Sequence, residues 1–396
     1  MGHPPFGHVG EETLDKLMIN NGGFESNAQT LRLLTKLEKK YQIDGNLMIG
    51  KNRKDTRVGL NLTFRTIASI LKYDSKIPES KNDRDQYNKT NNMNKKFFKG
   101  YYKSEEDVVN KIKKNVLKES PKYIKNEFKT IECQIMDIAD DIVYSTFDLE
   151  DALKAKFLSP FSILFASKNM LERVKDKVNE NLQCDLTTTE IRDILFGLFG
   201  RFYEMDNMMD ILRKRLPNEK DFDFNDTHKF PGYVKIITAS AYNTSQLISQ
   251  DGHLRTDLTS GLIGKFIRGV KLDAFNNECP PLSKVSLYDP ISKEIEVLKR
   301  LTYESQIMSP NLKIYDYAGK DIIENIFKIL NKKGNHELLP MDFRDVYLAV
   351  EGSEKDRTIC DFIAGMTDQY AIQFHSKLTS RKPGSFFMPT KSTTLS

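Results

Sequence analysis

Between residues 137 and 152 the chain reads DIADDIVYSTFDLEDA. Acids and aliphatics there recur at the spacing of a 3.6-residue turn, and the same rhythm runs through most of the 396 residues. A chain written this way buries its apolar stripes by packing helix on helix, so the pattern predicts a mainly α fold. Helices are expected over 11–19, 28–41 and 62–73, the last capped by Asn61 or Thr63. Another starts at Ser104-Glu105-Glu106-Asp107, where the acids suit the positive end of the helix dipole. Longer ones are expected over 131–156, 160–181, 188–215, 233–249, 256–276, 295–308, 317–330 and 357–378.

Strand signal is thin. Lys284–Leu287 and the stretch 294–297 flank Asp289-Pro290, which predicts at most a small β-hairpin, and Leu47-Met48-Ile49 is a second candidate. The segment 75–96 is polar, rich in Asn and Lys and nearly free of aliphatics, and is expected to be a flexible insert. The tail 382–396 is expected to be disordered. No change of composition marks a linker, so 1–380 is expected to form one helical domain.

Sixty basic residues against 55 acids leave a net charge of +5, mild for this length, so nucleic acid is not a required partner. No apolar run approaches the roughly 18–20 residues of a membrane span. No basic-then-apolar leader follows Met1. Cys133, Cys184, Cys279 and Cys360 are dispersed and form no C-x-x-C pair. Together these features predict a cytoplasmic protein with reduced thiols and no membrane partner.

Two constellations carry chemistry. On the helix expected over 131–156, Asp137, Asp140, Asp141, Tyr144 and Asp148 fall on one arc, with Ile135, Ile138, Ile142, Val143 and Leu149 opposite. Taken alone, the acidic arc is either a solvated face or a ligand-binding one. His8 and Glu11 stand one helical turn apart, within hydrogen-bond reach. A carboxylate beside an imidazole favours the protonated ring, which suits general-acid work. In isolation the same spacing also fits a helix-start histidine with an incidental acid.

The opening GHPPFGHVGE (residues 2–11), GGFESNAQ (22–29), GLNLT (59–63), DIADDIVYSTFDLEDA (137–152) and RTICDFIAGMTDQYA (357–371) together resemble, in order and over nearly the whole chain, the HD-domain deoxynucleoside triphosphate triphosphohydrolases, the dGTPase family. The resemblance implies an all-helical HD-domain fold. It implies hydrolysis of dNTPs, dGTP favoured, at the α-phosphorus, giving a deoxynucleoside and tripolyphosphate. It also implies a divalent ion, Mg or Mn, and a homo-oligomer. By the motif match Asp140 is a metal ligand, and His8 with Glu11 forms the catalytic pair. Tyr144 and Asp148 contact the sugar, Tyr144 excluding a 2′-hydroxyl and Asp148 accepting from the 3′-hydroxyl. His3 contacts phosphate, and Asn27 and Gln29 are amide donors near the pocket. Arg57 and Arg255 are candidates for triphosphate charge. Arg357, Asp361 and Asp368 fit a buried ion-pair network better than a site.

In this family a His-Asp pair precedes an Ile or Leu and then GHPPFGH; here that intervening residue is Met1. The resemblance therefore sets an expectation of an N-terminally truncated chain with one of four metal ligands, nearly inactive as it stands. Two other readings remain open: a non-catalytic nucleotide-binding subunit or regulator of an oligomer, and another HD-type phosphohydrolase such as a nucleotide phosphodiesterase. The absence of a G-x-x-x-x-G-K-[ST] motif argues against P-loop chemistry.

Overall fold

A computed structural model describes residues 2–38, 57–117, 128–199, 212–216, 228, 230–306 and 310–379. It is mainly helical. In chain order the elements begin α1 (Gly7–Leu17), α2 (Ser26–Arg32, continued by a π turn Leu33–Leu37), α3 (Phe64–Ala68), α4 (Lys81–Thr90) and α5 (Glu106–Leu117). There follow α6 (Ile131–Lys154), α7 (Pro160–Leu164), α8 (Lys168–Leu182), α9 (Thr188–Phe199), α10 (Phe230–Gln250) and α11 (Gly252–Arg268). Strands β1 (Val270–Ala274) and β2 (Lys284–Leu287) pair, and α12 (Asp289–Gln306), α13 (Pro310–Leu330), α14 (Met341–Ala349), α15 (Ser353–Ala364) and α16 (Asp368–Thr379) complete the order.

The chain divides into two compact units, where one domain was expected. The first holds residues 1–136, 274–284 and 311–396; the second holds 137–273 and 285–310. Composition carries no sign of the division because the boundary falls inside α6, between Met136 and Asp137.

In the first unit one apolar core packs Leu14 of α1 and Met18 just beyond it against Ile323 and Ile326 of α13 and Ile359 and Ile363 of α15. A second core joins Leu31 of α2, Ile67 of α3 and Ile112 of α5. Charge runs through the same interior. The Arg32 guanidinium, 2% exposed, donates from Nε to both Asp361 oxygens at 3.0 and 2.9 Å and from Nη1 to Glu105 at 3.1 Å. Arg84 of α4 donates to Asp15 of α1 at 2.8 and 2.6 Å. Asp15 also accepts the Phe24 N–H at 2.9 Å, which fixes the turn entering α2. Gly23 in that turn has φ 62°, and a Cβ there would lie 1.9 Å from an Arg84 nitrogen. In the second unit α8 and α12 share a core that includes Val174, Val178, Leu298 and Leu301, and α6 adds Ile142 and Leu149. Lys299 of α12 donates to Asp141 of α6 at 2.7 Å.

The sheet differs from expectation in one strand. Lys284–Leu287 is a strand, but its partner is Val270–Ala274, while residues 294–297 lie within α12. Asp289-Pro290 opens a helix instead of a turn, since proline is tolerated in a first turn and the following Ile291, Ile295 and Leu298 keep helical spacing. The helix expected over 256–276 ends at Arg268, and Val270–Ala274 is a strand instead. Two further long expected helices are broken. One stops at Leu164 and restarts after Ser167, whose side chain accepts from the Met170 N–H; the other stops at Gly365. Thr63, not Asn61, caps α3.

The polar segment 75–96 contains α4, opened by a reciprocal capping box between Ser80 and Asp83. Its anchors are the Arg84–Asp15 pair and Ile77, which is 1% exposed. Composition misses this because a charge pair does the holding. The strand candidate at 47–49 and the tail 382–396 lie outside the described residues.

Removing one partner of a buried pair strands the other charge. Arg84→Leu is therefore expected to lower unfolding free energy by about 3–5 kcal/mol. Arg84→Leu with Asp15→Leu should recover part of that loss; urea unfolding of the two variants checks both.

Candidate active site

The site begins with a loop that has almost no steric latitude. Gly2 takes φ 73°, and a Cβ there would lie 2.3 Å from Thr30 Oγ1 and 2.5 Å from the Ser26 carbonyl oxygen. Gly10 packs on the loop from α1, where a Cβ would stand 1.9 Å from the Pro5 carbonyl oxygen. Phe6 is left-handed at φ 64°. Its N–H donates to Asp368 Oδ1 at 2.9 Å, and its ring meets Tyr315 edge-on with centroids 5.7 Å apart. The Tyr315 hydroxyl donates to the other Asp368 oxygen. The loop is thus folded back on α1 and pinned to α16.

This fold-back brings three predicted side chains together. The His3 and His8 rings have centroids 5.2 Å apart, tilted by 54°. His8 Nδ1 lies 3.4 Å from Glu11 Oε2, one turn along α1. Glu11 Oε1 accepts the Ser26 N–H at 2.8 Å, so the carboxylate is oriented from α2 while its other oxygen faces His8. Ligating atoms of His3, His8 and Glu11 all lie within 4.8 Å of one another. Both imidazoles are exposed, His8 to 69% of its side chain, whereas Glu11 is half-buried at 21%.

The two rings are tuned in opposite directions. The hydrogen bond to Glu11 raises His8 above the ordinary imidazole value, outweighing partial desolvation. Partial desolvation lowers His3, and the charge of His8 adds to it. Burial opposes ionisation of Glu11, but the hydrogen bonds from His8 and Ser26 win and bring it down to about 2.

Asn27 donates its side-chain N–H to Glu25 at 2.6 Å. Glu25 in turn accepts the Ala28 N–H at 2.8 Å and so caps α2, with its pKa raised by burial. Gln29 points into the interior, donating to Asp361 at 2.9 Å. Arg255 is also an interior group, 8% exposed, with Nη1 donating to the Ile248 carbonyl at 3.4 Å; Arg57 is half-buried. Arg357 stacks 4.0 Å over the Tyr102 ring and donates to the Asn21 and Gly23 carbonyls. The expected ion-pair network is therefore seen only at Asp361, paired with Arg32; Arg357 is buried against neutral groups, and Asp368 is half-buried and accepts from Phe6 and Tyr315.

On α6, Asp140 and Tyr144 are exposed and Asp148 is half-buried. They follow one another a turn apart on the helix. The opposite arc is not wholly apolar packing: Ile142 and Leu149 are buried, but Ile135 and Val143 are 48% and 47% exposed. The buried stripe runs instead through Ile142, Ser145, Thr146 and Leu149, because Ser145 and Thr146 hide their hydroxyls by bonding to the Ile142 carbonyl. Asp141 is tied to Lys299. Among the described residues Asp140 belongs to no group of three or more potential metal-ligating side chains. Sequence reading missed Ser26 and Glu25; an acid at the cap position of GGFESNAQ was the available signal for the second.

The His8–Glu11 contact is expected to be complete between about pH 4.5 and 6.5, lost as pH rises through the higher folded value of His8 and lost again as pH falls toward about 2, where Glu11 protonates. NMR titration should place the His8 midpoint above 6.5 and His3 below it, and Glu11→Gln should pull His8 down.

Residues 285–377 match the family model of a phosphohydrolase-associated domain. The chain is 39% identical over 398 residues to deoxyguanosinetriphosphate triphosphohydrolase-like protein 2 of Mesorhizobium japonicum, covering 98% of this chain and 78% of that protein. It is 26% identical to a deoxyguanosinetriphosphate triphosphohydrolase-like protein of Shewanella loihica, over 97% of this chain and 76% of that one. A Haemophilus influenzae protein of the same name is 24% identical, over 96% and 71%. Among the described residues no helix is long and apolar enough to cross a membrane. The breadth of the first match, together with the opening loop, makes the chain a member of the deoxyguanosinetriphosphate triphosphohydrolase-like family.

Proposed function

We propose that the protein is a deoxynucleoside triphosphate triphosphohydrolase, with dGTP as the favoured substrate, that releases a deoxynucleoside and intact tripolyphosphate. The observation that supports this best is the exposed His8 imidazole, raised in pKa and held by an ionised Glu11. Breaking the bond between the 5′-oxygen and the α-phosphorus leaves an alkoxide that needs a proton. An imidazolium near neutral pH supplies it well. With Nδ1 committed to Glu11, Nε2 is the nitrogen that donates. His3, lowered and therefore neutral near pH 7, donates a ring N–H to a phosphate oxygen without competing as an acid. Tyr144 and Asp148 on α6 are proposed to select deoxyribose, and the working form is proposed to be a homo-oligomer.

The family resemblance also implies Mg or Mn. A divalent ion would polarise a phosphoryl oxygen and activate water. Asp140 would be one ligand; among the described residues it belongs to no group of three or more candidate ligands, so these do not supply the complete site. The second reading is a subunit that binds nucleotide without turning it over.

The test is incubation of the full chain with each of four dNTPs and Mg or Mn, resolving tripolyphosphate from pyrophosphate and orthophosphate by ion chromatography. Tripolyphosphate is the expected product. Pyrophosphate or orthophosphate would overturn the reaction, and tight dNTP binding without turnover would establish the second reading. His8→Gln and Glu11→Gln should each lower kcat by about 10²–10⁴-fold. The rate should fall as pH rises through the raised His8 value. Tyr144→Ala should narrow the preference for dGTP over GTP, read as a ratio of kcat/KM values.

A further inference from the structure

We propose that His3, His8 and Glu11 form a binding site for a zinc-class divalent ion, and that an ion there switches the catalytic pair off. The site uses no residue of α6, so Asp140, to which the family resemblance assigns an ion, is not among its ligands. The binding claim stands on geometry, and the switching claim rests on the proposed role of His8 as the acid.

Three features favour such an ion. The ligating atoms of all three side chains lie within 4.8 Å of one another. His8 Nδ1 and Glu11 Oε2 are 3.4 Å apart, which is about the edge of a tetrahedron whose ligands sit roughly 2.0–2.1 Å from its centre. The carboxylate is also already aimed, since Ser26 holds Oε1 and leaves Oε2 facing the imidazole. Outer contacts of this type fix ligand orientation in metal centres. The rings themselves stand on restricted backbone: His3 lies between Gly2 and Pro4, and His8 follows the left-handed pair Phe6 and Gly7 at the start of α1.

The donor set decides which ion. Two imidazoles and one carboxylate suit zinc, nickel or copper, whereas magnesium asks for six oxygens in near-ideal octahedral array. Three protein ligands leave a fourth position for water or a phosphate oxygen. An ion bound through Nδ1 takes the place of the proton shared with Glu11, so His8 becomes a neutral, metal-bound imidazole whose Nε2–H is a far weaker acid than that of the imidazolium.

The experiment adds Zn²⁺ stepwise to the full chain in excess Mg²⁺, with histidine rings labelled for NMR and dGTP turnover followed in parallel. The ring signals of His3 and His8 should move together and stop at one equivalent, and turnover should fall with the same midpoint. Glu11→Gln should weaken binding by at least about tenfold, with circular dichroism confirming the fold. If zinc moves neither ring, or only one, the site is refuted; that readout needs no variant. If both rings move while turnover persists, the switch is refuted and the site stands. If both rings move in a chain that hydrolyses no dNTP at any zinc level, the site stands and the switching claim falls together with the proposed activity.

Discussion

The placement of α2 governs the candidate site, and a buried charge cluster governs α2. Arg32 and Gln29 both grip Asp361, 329 and 332 residues away, and Arg32 also reaches Glu105. Arg32 sits among apolar cores, where an unpaired guanidinium would be strongly disfavoured. Two carboxylates therefore dictate where α2 can lie. The other end of α2 presents the Ser26 N–H to Glu11, and Glu11 orients His8. The proposed acid at the surface is thus aligned through a series of contacts that starts in the interior.

Two histidines five residues apart end up with different protonation behaviour, and the cause is local. His8 has a carboxylate partner at hydrogen-bond distance, while His3 has lost part of its hydration and gained a cationic neighbour. Environments that push like groups apart are how one site assigns acid and neutral donor roles at one pH. Neither assignment requires a deep cleft, since both rings are exposed.

Much of this was legible in the sequence for identifiable reasons. Helical periodicity is local, so the mainly α class and most helices could be read directly. The His8–Glu11 pair was legible because three residues along a helix is a fixed distance. The Arg32–Asp361 contact was not, because nothing in a single sequence pairs residues so far apart. The partner of Lys284–Leu287 was misread because Asp-Pro serves both turns and helix starts. α4 was missed because hydropathy counts Arg84 as solvated, when it is 5% exposed and paired. On α6, hydropathy placed Ile135 and Val143 inside, but the small hydroxyl residues occupy that side, being able to satisfy themselves on their own backbone.

The bond between the Phe6 N–H and Asp368 spans 362 residues. On a ribosome adding about 5–20 residues per second, the two partners are made roughly 20–70 s apart. Until residue 368 emerges, the loop carrying His3 and His8 lacks its anchor. While the residues between them are being made the imidazole loop is untethered, and the site is one of the last parts of the described fold to be completed.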